Sequence, residues 1–186
     1  MEKPERKKIF GIFLRNLFAA LLTLCTLNGN AQTTKGIIEK IKKEVEHINS
    51  VKLKLEAKSF PYKNKCGVTK AAIAMYYINS DVRKIIDTGI GDSDKAATSW
   101  NYEYYYQKGD LIFSYETRRY FNNETGNEDS EELRQYFVAN RLIKQIKNGK
   151  TTYPKNIFIN KSDTRYRLKN ITKASDINRI YECPDL

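Results

Sequence analysis

The sequence repeats one nine-residue motif three times: YYINSDVRK at residues 76–84, YYQKGDLIF at residues 105–113 and YFVANRLIK at residues 136–144. Each copy begins with two aromatic residues, followed by two variable residues. A Ser, Gly or Asn comes next, then a charged residue, and then Val or Leu. The copies begin 29 and 31 residues apart, which indicates a repeated structural unit.

Each copy is typical of a β-hairpin. Aromatic and β-branched residues favour the pleated surface of a strand. Gly109 and Asn140 tolerate the positive φ that a tight hairpin turn requires. Alternation predicts one shared face for each of two rows of side chains: Trp100, Tyr102, Tyr104 and Tyr106 on one strand, and Leu111, Phe113 and Tyr115 on the return strand. Three hairpins in series predict an antiparallel meander of about six strands.

Upstream of the repeats, an amphipathic helix is predicted over residues 35–49. Apolar residues recur there at the three- and four-residue spacings of one helix face. They are Ile37, Ile38, Ile41, Val45 and Ile48. Residues 51–57 alternate with a period of two and predict either a strand or the tail of this helix. Pro61 and the polar residues 63–65 predict a loop.

The fold class predicted from these elements is α+β. The N-terminal helix is expected to pack on a curved antiparallel β-meander of about six to eight strands, within one domain over residues 32–186. Polar loops are expected between the hairpins, at residues 88–95 and 122–132. Two further strands are expected near the C-terminus, at residues 156–160 and 165–171.

The aromatic-aromatic-x-x-Gly-x-Leu-Ile-Phe unit of residues 105–113 resembles a hairpin found in small, uncharacterised exported proteins of Gram-negative bacteria. Those proteins carry an N-terminal signal, a short helix and several such hairpins, and the match covers residues 37–146. The unit is also loosely similar to MORN-type variant repeats, which are shorter and richer in glycine. The resemblance implies an exported domain of hairpin repeats and supplies no catalytic residues.

Residues 1–31 have the anatomy of a secretory signal peptide. Basic residues open this segment, the apolar stretch 17–27 follows, and Gly29 and Ala31 place small residues where signal peptidase reads the chain. Cleavage after Ala31 predicts a periplasmic or extracellular protein. The alternative is an uncleaved N-terminal membrane anchor over residues 9–27.

Export changes the cysteine count and the charge. Cys25 lies in the signal segment, where a lipoprotein signal is a further alternative. In an oxidising compartment Cys66 and Cys183 predict a disulfide, and two separate thiols are the alternative. Removal of residues 1–31 leaves 28 basic and 20 acidic residues, so the net charge falls from +11 to +8.

Composition excludes several classes of protein. With 40% hydrophobic and 12% aromatic residues, the chain has the material for a core, which argues against intrinsic disorder. His47 is the only histidine, and no Cys/His spacing typical of zinc appears, so neither a nucleophile–base pair nor a metal site is expected. We expect no cofactor, no nucleic-acid partner and a monomeric protein.

The pattern predicts no catalytic residues, and the aromatic strand faces predict binding instead. The candidate binding residues are Tyr102, Tyr104, Tyr106 and Phe113, with membership of the core as the alternative. The expected function is an exported, non-catalytic binding or envelope-associated module. Its expected partner is a protein, a glycan or an anionic envelope lipid.

Two other functions stay open. A small secreted hydrolase would use two strand carboxylates in unequal environments, from among Glu103, Asp110 and Glu116. An inhibitor or immunity-type protein would instead present the acidic segment 122–132 to another enzyme.

Overall fold

The computed structural model describes residues 33–51, 56–64, 68–93 and 96–181. These residues form a helix, an antiparallel sheet and a short helical segment at the C-terminal side. In chain order the elements are α1 (Thr34–Ser50), β1 (Glu56–Asn64), β2 (Val68–Ile78), β3 (Asp81–Ser93), β4 (Ala96–Gln107), β5 (Asp110–Asn122), β6 (Asn127–Val138), β7 (Arg141–Lys147), β8 (Lys150–Thr152), α2 (Thr164–Arg167), a 3₁₀ turn (Leu168–Asn170) and α3 (Ser175–Tyr181).

The strands form one open antiparallel sheet in the order β1-β2-β3-β4-β5-β6-β7-β8. Each strand therefore pairs with its sequence neighbours, as in a meander. This arrangement confirms the α+β class and the antiparallel meander, at the upper end of the expected strand number for the described part of the chain. The helix predicted over residues 35–49 is also confirmed, since α1 spans Thr34–Ser50.

Two-residue turns join β2 to β3, β4 to β5, β6 to β7 and β7 to β8. Both residues of each turn have positive φ, the geometry of the type I′ turn that suits the twist of paired strands. The φ values are 50° and 66° at Asn79 and Ser80, 50° and 84° at Lys108 and Gly109, 46° and 64° at Ala139 and Asn140, and 46° and 78° at Asn148 and Gly149. The first three turns confirm the predicted hairpins, whereas the repeat motif does not predict the fourth.

A β-bulge follows each of the three repeated turns. One residue of each return strand has no partner across the pair, and these residues are Arg83, Ile112 and Ile143. The extra residue shifts the alternation of side chains. Leu111 therefore lies opposite Tyr106, and Phe113 lies opposite Tyr105. The expectation that Leu111 shares a face with Phe113 and Tyr115 is wrong, because it assumes strict alternation through the bulge.

The two faces of the sheet are named here after two adjacent residues of β4. The Tyr104 face also carries Trp100, Tyr102 and Tyr106, as predicted. The C-terminal segment packs on this face and contributes buried residues to its cluster, namely Tyr166, Leu168, Ile171, Ile177 and Ile180.

A second buried cluster contains residues of the Tyr105 face and of α1. Ile38, Ile41 and Ile48 of the helix share a buried cluster with side chains of the sheet, namely Tyr105, Ile112, Tyr136 and Ile143. Polar groups meet at the end of the helix, where the Asn49 side-chain oxygen accepts hydrogen bonds from Lys84 Nζ at 2.9 Å and from the Tyr105 hydroxyl at 3.1 Å.

Parts of three predicted loops lie in strands instead, while residues 123–126 do form a turn. Pro61 lies within β1, an edge strand, where proline is tolerated because one side of the strand needs no ladder donor. Residues 88–93 extend β3, and residues 127–132 begin β6. Glycine is needed at position 89 of β3 because any side chain would clash there: a Cβ would lie 2.3 Å from the Trp100 ring. Polarity and glycine content alone therefore gave loops that are too long.

The two strands predicted near the C-terminus are also wrong. Residues 165–171 lie mainly in α2 and the 3₁₀ turn, because Asp163 caps α2 by accepting a hydrogen bond from the Arg165 backbone N–H at 3.0 Å. Residues 156–160 contribute one isolated bridge, from Phe158 to Arg141. Asp163 at the N-cap position thus favours a helix start over a strand.

Some predictions lie outside the described residues: the signal segment 1–31, Cys66 and Cys183. Among the helices that the structure describes, none is both long and apolar enough to cross a membrane.

Candidate functional site

A polar cleft lies on the Tyr104 face beside α2. Its larger part has a volume of about 360 Å³ and is lined by Tyr104, Glu116, Leu133, Gln135, Asp163, Thr164 and Arg165. Its smaller part has a volume of about 140 Å³ and is lined by Tyr102, Glu116, Arg118 and Glu131. Because Glu116 lines both parts, they are treated as one site, the Glu116 cleft.

The register of the sheet brings the polar residues of this cleft together. Glu116 of β5 lies between Tyr102 of β4 and Leu133 of β6. Two residues further from the repeated turn, Arg118 of β5 lies opposite Glu131 of β6. Because residues two apart on a strand share a face, these side chains form rows across three strands. The cleft is thus a consequence of strand pairing between segments that are distant in sequence.

Arg165 closes one side of the cleft. Its Nε and one terminal nitrogen each donate to a different oxygen of Asp163, both at 2.7 Å, and its other terminal nitrogen donates to the Gln135 side-chain oxygen at 2.8 Å. That second nitrogen also lies 3.9 Å from Glu116 Oε1. A planar guanidinium with several partners is held in a single orientation. Arg165 is therefore a fixed wall of the site.

Glu116 is a carboxyl group in a poorly solvated position. Burial raises its pKa above the usual value, while the charge of Arg165 and a hydrogen bond with Ser114 act in the opposite direction. The same burial raises the pKa of the neighbouring Tyr102 hydroxyl, and the Glu116 charge adds to this effect. Tyr102 therefore remains a hydrogen-bond donor at neutral pH, beside a carboxylate that is a strong acceptor.

Glu131 has the opposite environment. A hydrogen bond with Lys147 and the nearby charge of Arg118 outweigh a small burial effect, so the pKa of Glu131 is lowered. The Glu131 carboxylate lies 2.8 Å from Lys147 Nζ and 3.4 Å from a terminal nitrogen of Arg118. Two carboxylates with opposite pKa shifts consequently line one small pocket.

The structure separates the four candidate binding residues. Tyr104 and Tyr106 are buried, with exposed fractions of 4% and 0%. Tyr102 is half-buried and lines the Glu116 cleft. Phe113 lies on the Tyr105 face, where its ring centre is 4.9 Å from that of Tyr136. Of the four, Tyr102 and Tyr104 line the cleft, and Tyr102 is the more accessible.

The three candidate carboxylates are not brought together. Glu103 lies on the Tyr105 face, 2.7 Å from Lys84 Nζ and hydrogen-bonded to Tyr105. Asp110 is exposed at the start of β5, directly after a turn. Glu116 therefore remains alone among the three in the cleft, and a pair drawn from these residues is not assembled.

The acidic segment 122–132 is a hairpin whose side chains are largely occupied. Asp129 accepts a hydrogen bond from Asn122 at 2.7 Å, and Glu132 pairs with Arg134 at 3.0 Å. Glu131 contributes to the Glu116 cleft. The segment is consequently not a free acidic loop, because β6 already begins at Asn127.

Several residues of the cleft escape sequence reasoning, namely Arg118, Glu131, Gln135, Asp163 and Arg165. Arg118 and Glu131 share a cross-strand row, which the acidic character of the 122–132 segment conceals. The Asp163-x-Arg165 pair at the start of α2 is the one local signal that points to the site, because Asp is a common N-cap and its two oxygens suit an arginine fork.

A second groove lies at the ends of β4, β5 and β6 away from the repeated turns. It has a volume of about 810 Å³ and includes uncharged polar residues of the Tyr105 face, such as Ser99, Asn101, Thr117 and Ser130. Charged residues also line it, and two of them, Arg118 and Glu131, are shared with the smaller part of the Glu116 cleft. Although this groove is larger, the Glu116 cleft contains a partly buried carboxyl group with a raised pKa beside a partly buried arginine. Buried ionisable groups in a concave site are the stronger indication of function.

His47 is exposed near the end of α1. Within the described ranges, no group of three or more His, Cys, Asp or Glu residues is placed to hold a metal ion. Comparison of the chain with family models, curated proteins and solved structures finds no match. The interpretation of the cleft therefore depends on its own chemistry.

Proposed function

We propose that the protein is an exported, non-catalytic binding module and that the Glu116 cleft holds a neutral, hydroxyl-rich ligand such as a glycan. The observation that carries the proposal is the pairing of charge around Glu116. Asp163 pairs with Arg165, and Glu131 pairs with Lys147 and Arg118, at distances shorter than the 3.9 Å between Arg165 and Glu116.

This pairing favours a neutral ligand over a charged one. The ion pairs leave the cleft without a large excess of one charge, so a charged ligand would displace existing partners. A glycan instead offers hydroxyl groups that donate to the carboxylate of Glu116 and accept from the hydroxyl of Tyr102. The half-buried ring of Tyr102 also provides an apolar surface beside these polar groups.

The packing of α1 on the Tyr105 face belongs to the same proposal. The helix occupies the turn end of that face with Ile38, Ile41 and Ile48, and the cleft on the other face is the proposed recognition side. The bulges at Arg83, Ile112 and Ile143 favour a curved sheet, because a bulge bends its strand.

The binding test uses the full chain, purified after expression with its native N-terminus, on a panel of neutral oligosaccharides followed by calorimetric titration. Glu116→Gln removes the carboxylate charge and is expected to weaken binding about ten- to a hundredfold, the range for a hydrogen bond to a charged group. Glu124→Gln is the matched control, because Glu124 is exposed in the turn between β5 and β6. Absence of binding to every neutral sugar, or equal binding by both variants, contradicts the proposal.

Export is tested separately by N-terminal sequencing of the protein recovered from the expressing cells and their medium. A first residue of Gln32 in the periplasm or medium supports export with cleavage after Ala31. Retention of residues 1–31 in the membrane fraction would instead support the anchor. A non-reducing mass two hydrogens below the reduced mass supports the Cys66–Cys183 disulfide.

A second candidate function, hydrolysis, is favoured by the opposite pKa shifts of Glu116 and Glu131 in one pocket. A glycoside hydrolase requires one protonated and one ionised carboxyl group. The two functions differ in the effect of Glu116→Gln. If the wild-type protein forms product, and Glu116→Gln stops product formation but still binds the sugar, the result supports hydrolysis. If the wild-type protein forms no product and Glu116→Gln loses binding, the result supports the binding module.

A further inference from the structure

The positive charge of the chain is concentrated in one stretch. Residues 133–162 contain seven basic residues and no acidic residue, between Glu132 and Asp163. The whole chain has a net charge of +11, so this short stretch accounts for more than half of the excess. The basic residues are Arg134, Arg141, Lys144, Lys147, Lys150, Lys155 and Lys161.

The fold places most of this stretch along one edge of the sheet. β8 pairs with the second half of β7, and the following segment returns along the first half of β7. Backbone hydrogen bonds hold this return, from Leu142 N–H to Ile157 C=O and from Ile159 N–H to Asn140 C=O, both at 2.9 Å. The outer strand β7 is therefore lined by two segments of the same basic stretch.

Large apolar side chains are exposed along this edge. Tyr153, Ile157 and Phe158 have exposed fractions of 62%, 49% and 64%. They are three of the five large hydrophobic residues that are exposed in the described part of the chain, and they fall within six residues of sequence. Their proximity on one segment distinguishes them from singly scattered surface residues.

Exposed cations lie on the same segments as these apolar side chains. Arg141, whose backbone bridges to Phe158, is exposed, as are Lys150, Lys155 and Lys161. In the described part of the chain none of these four forms a salt bridge, whereas Arg134 and Lys147 pair with Glu132 and Glu131. These four unpaired cations and the three exposed apolar side chains define what we call the basic edge.

We propose that the basic edge docks on the surface of an anionic lipid bilayer. The cations suit the negative headgroups, and an exposed Tyr, Ile and Phe suit the boundary between headgroups and acyl chains. A soluble polyanion would engage the cations but would leave the apolar side chains in water. The residues of the basic edge do not line the Glu116 cleft, so this proposal is independent of the proposed glycan site.

The test is co-sedimentation of the full chain with sucrose-loaded vesicles, made of phosphatidylcholine alone or of phosphatidylcholine with phosphatidylglycerol. Binding is expected with phosphatidylglycerol, weak without it, and reduced by salt. Replacement of Lys150, Lys155 and Lys161 by Gln is expected to weaken binding roughly a hundredfold. The control of equal charge replaces the exposed Lys40, Lys43 and Lys70 by Gln, and this variant is expected to bind like the wild type.

The apolar part is tested by the double variant Ile157→Ser/Phe158→Ser, for which binding is expected to fall about tenfold or more. Phe121→Ser, an exposed apolar residue of β5, is its control. Circular dichroism checks that each variant is folded. The proposal is overturned if the protein does not bind vesicles that contain phosphatidylglycerol, or if each variant binds them like its control. It is also overturned if polyphosphate binds equally to the wild type and the double variant and displaces both proteins from the vesicles.

Discussion

The Tyr104 face and the Tyr105 face differ although they are formed by alternate residues of the same strands. On the Tyr105 face, sheet residues share a buried cluster with isoleucines of α1, and Lys84 and Tyr105 donate hydrogen bonds to Asn49. On the Tyr104 face, the C-terminal segment covers the turn end, and a polar cleft remains beside α2. The difference shows that the covering segment, and not the strand composition alone, decides where a polar cleft remains beside α2.

The C-terminal segment is held on its face by polar anchors within the core. Asp87 is fully buried, accepts a hydrogen bond from Trp100 Nε1 at 3.0 Å and also accepts one from Tyr181. The Tyr166 hydroxyl accepts from the Leu111 backbone N–H at 2.9 Å. Because a buried polar group without a partner is costly, these contacts fix Tyr166 and Tyr181 at defined positions on the sheet.

The largest effect is expected from Phe137→Ala, which removes a fully buried ring from the Tyr104 face. Loss of a large core side chain leaves a cavity and lowers the free energy of unfolding by about 3–5 kcal/mol. Phe121→Ala is the control, since Phe121 is 39% exposed and is expected to change stability far less. Urea denaturation measures both, and equal losses would contradict the packing described for the Tyr104 face.

A smaller effect is expected from Gly89→Ala. The new Cβ would lie 2.3 Å from the Trp100 ring and 2.8 Å from the Ala71 Cβ on the Tyr104 face, so overpacking is expected to cost about 1–3 kcal/mol. Ile90→Ala alters the next residue, which is 54% exposed, and is expected to change stability by about 0.5 kcal/mol or less. Thermal unfolding monitored by circular dichroism compares the two variants. An unchanged stability of Gly89→Ala would contradict the close approach of Trp100 and Ala71 to position 89.

The two faces are also distinguished by pH, through one carboxyl group on each. The pKa of Glu116 is raised by burial, so its ionisation destabilises the fold above that pKa, and the effect disappears as the pH falls below the unfolded value. For Glu103, burial is outweighed by Lys84 and Tyr105, and the pKa is lowered. Glu103 therefore stabilises the fold above the unfolded pKa, and this contribution is lost as the pH falls through the folded pKa.

Glu116→Gln is accordingly expected to raise the free energy of unfolding near pH 7, and Glu103→Gln is expected to lower it. Both differences from the wild type are expected to shrink as the solution is acidified. Urea denaturation over a pH series measures this behaviour. Changes of the same sign at neutral pH would contradict the assignment of opposite environments to the two faces.

The smallest effect is expected from Ser80→Gly in the first repeated turn. Ser80 has a φ of 66°, whereas the equivalent residue of the second turn is Gly109. Relief of the left-handed conformation is expected to outweigh the extra freedom of glycine in the unfolded chain and to stabilise the protein by about 0.5–1 kcal/mol. Gly109→Ala is the reciprocal change and is expected to destabilise, and a melting temperature that moves the other way in either variant would contradict this account.

Local patterns predict the elements of this fold better than their ends. The helix of α1 and the turns at Gly109 and Asn140 follow from spacing and from residues that tolerate positive φ. The loops expected at residues 88–95 and 122–132 were too long, because pairing with a neighbouring strand keeps polar residues extended when the partner is in register. The bulge at Ile112 also escapes the motif, since an extra residue is visible only against the opposite strand.

The sequence by itself determined the hairpin repeats, the amphipathic helix and the basic stretch 133–162, because periodicity, turn chemistry and charge are properties of neighbouring residues. Only the tertiary structure decided that Glu116 meets Arg165, and that Phe113 faces away from Tyr104. These outcomes depend on strand register, on the bulge and on the return of the C-terminal segment to the Tyr104 face. Such relations join residues far apart in the chain, and no local pattern contains them.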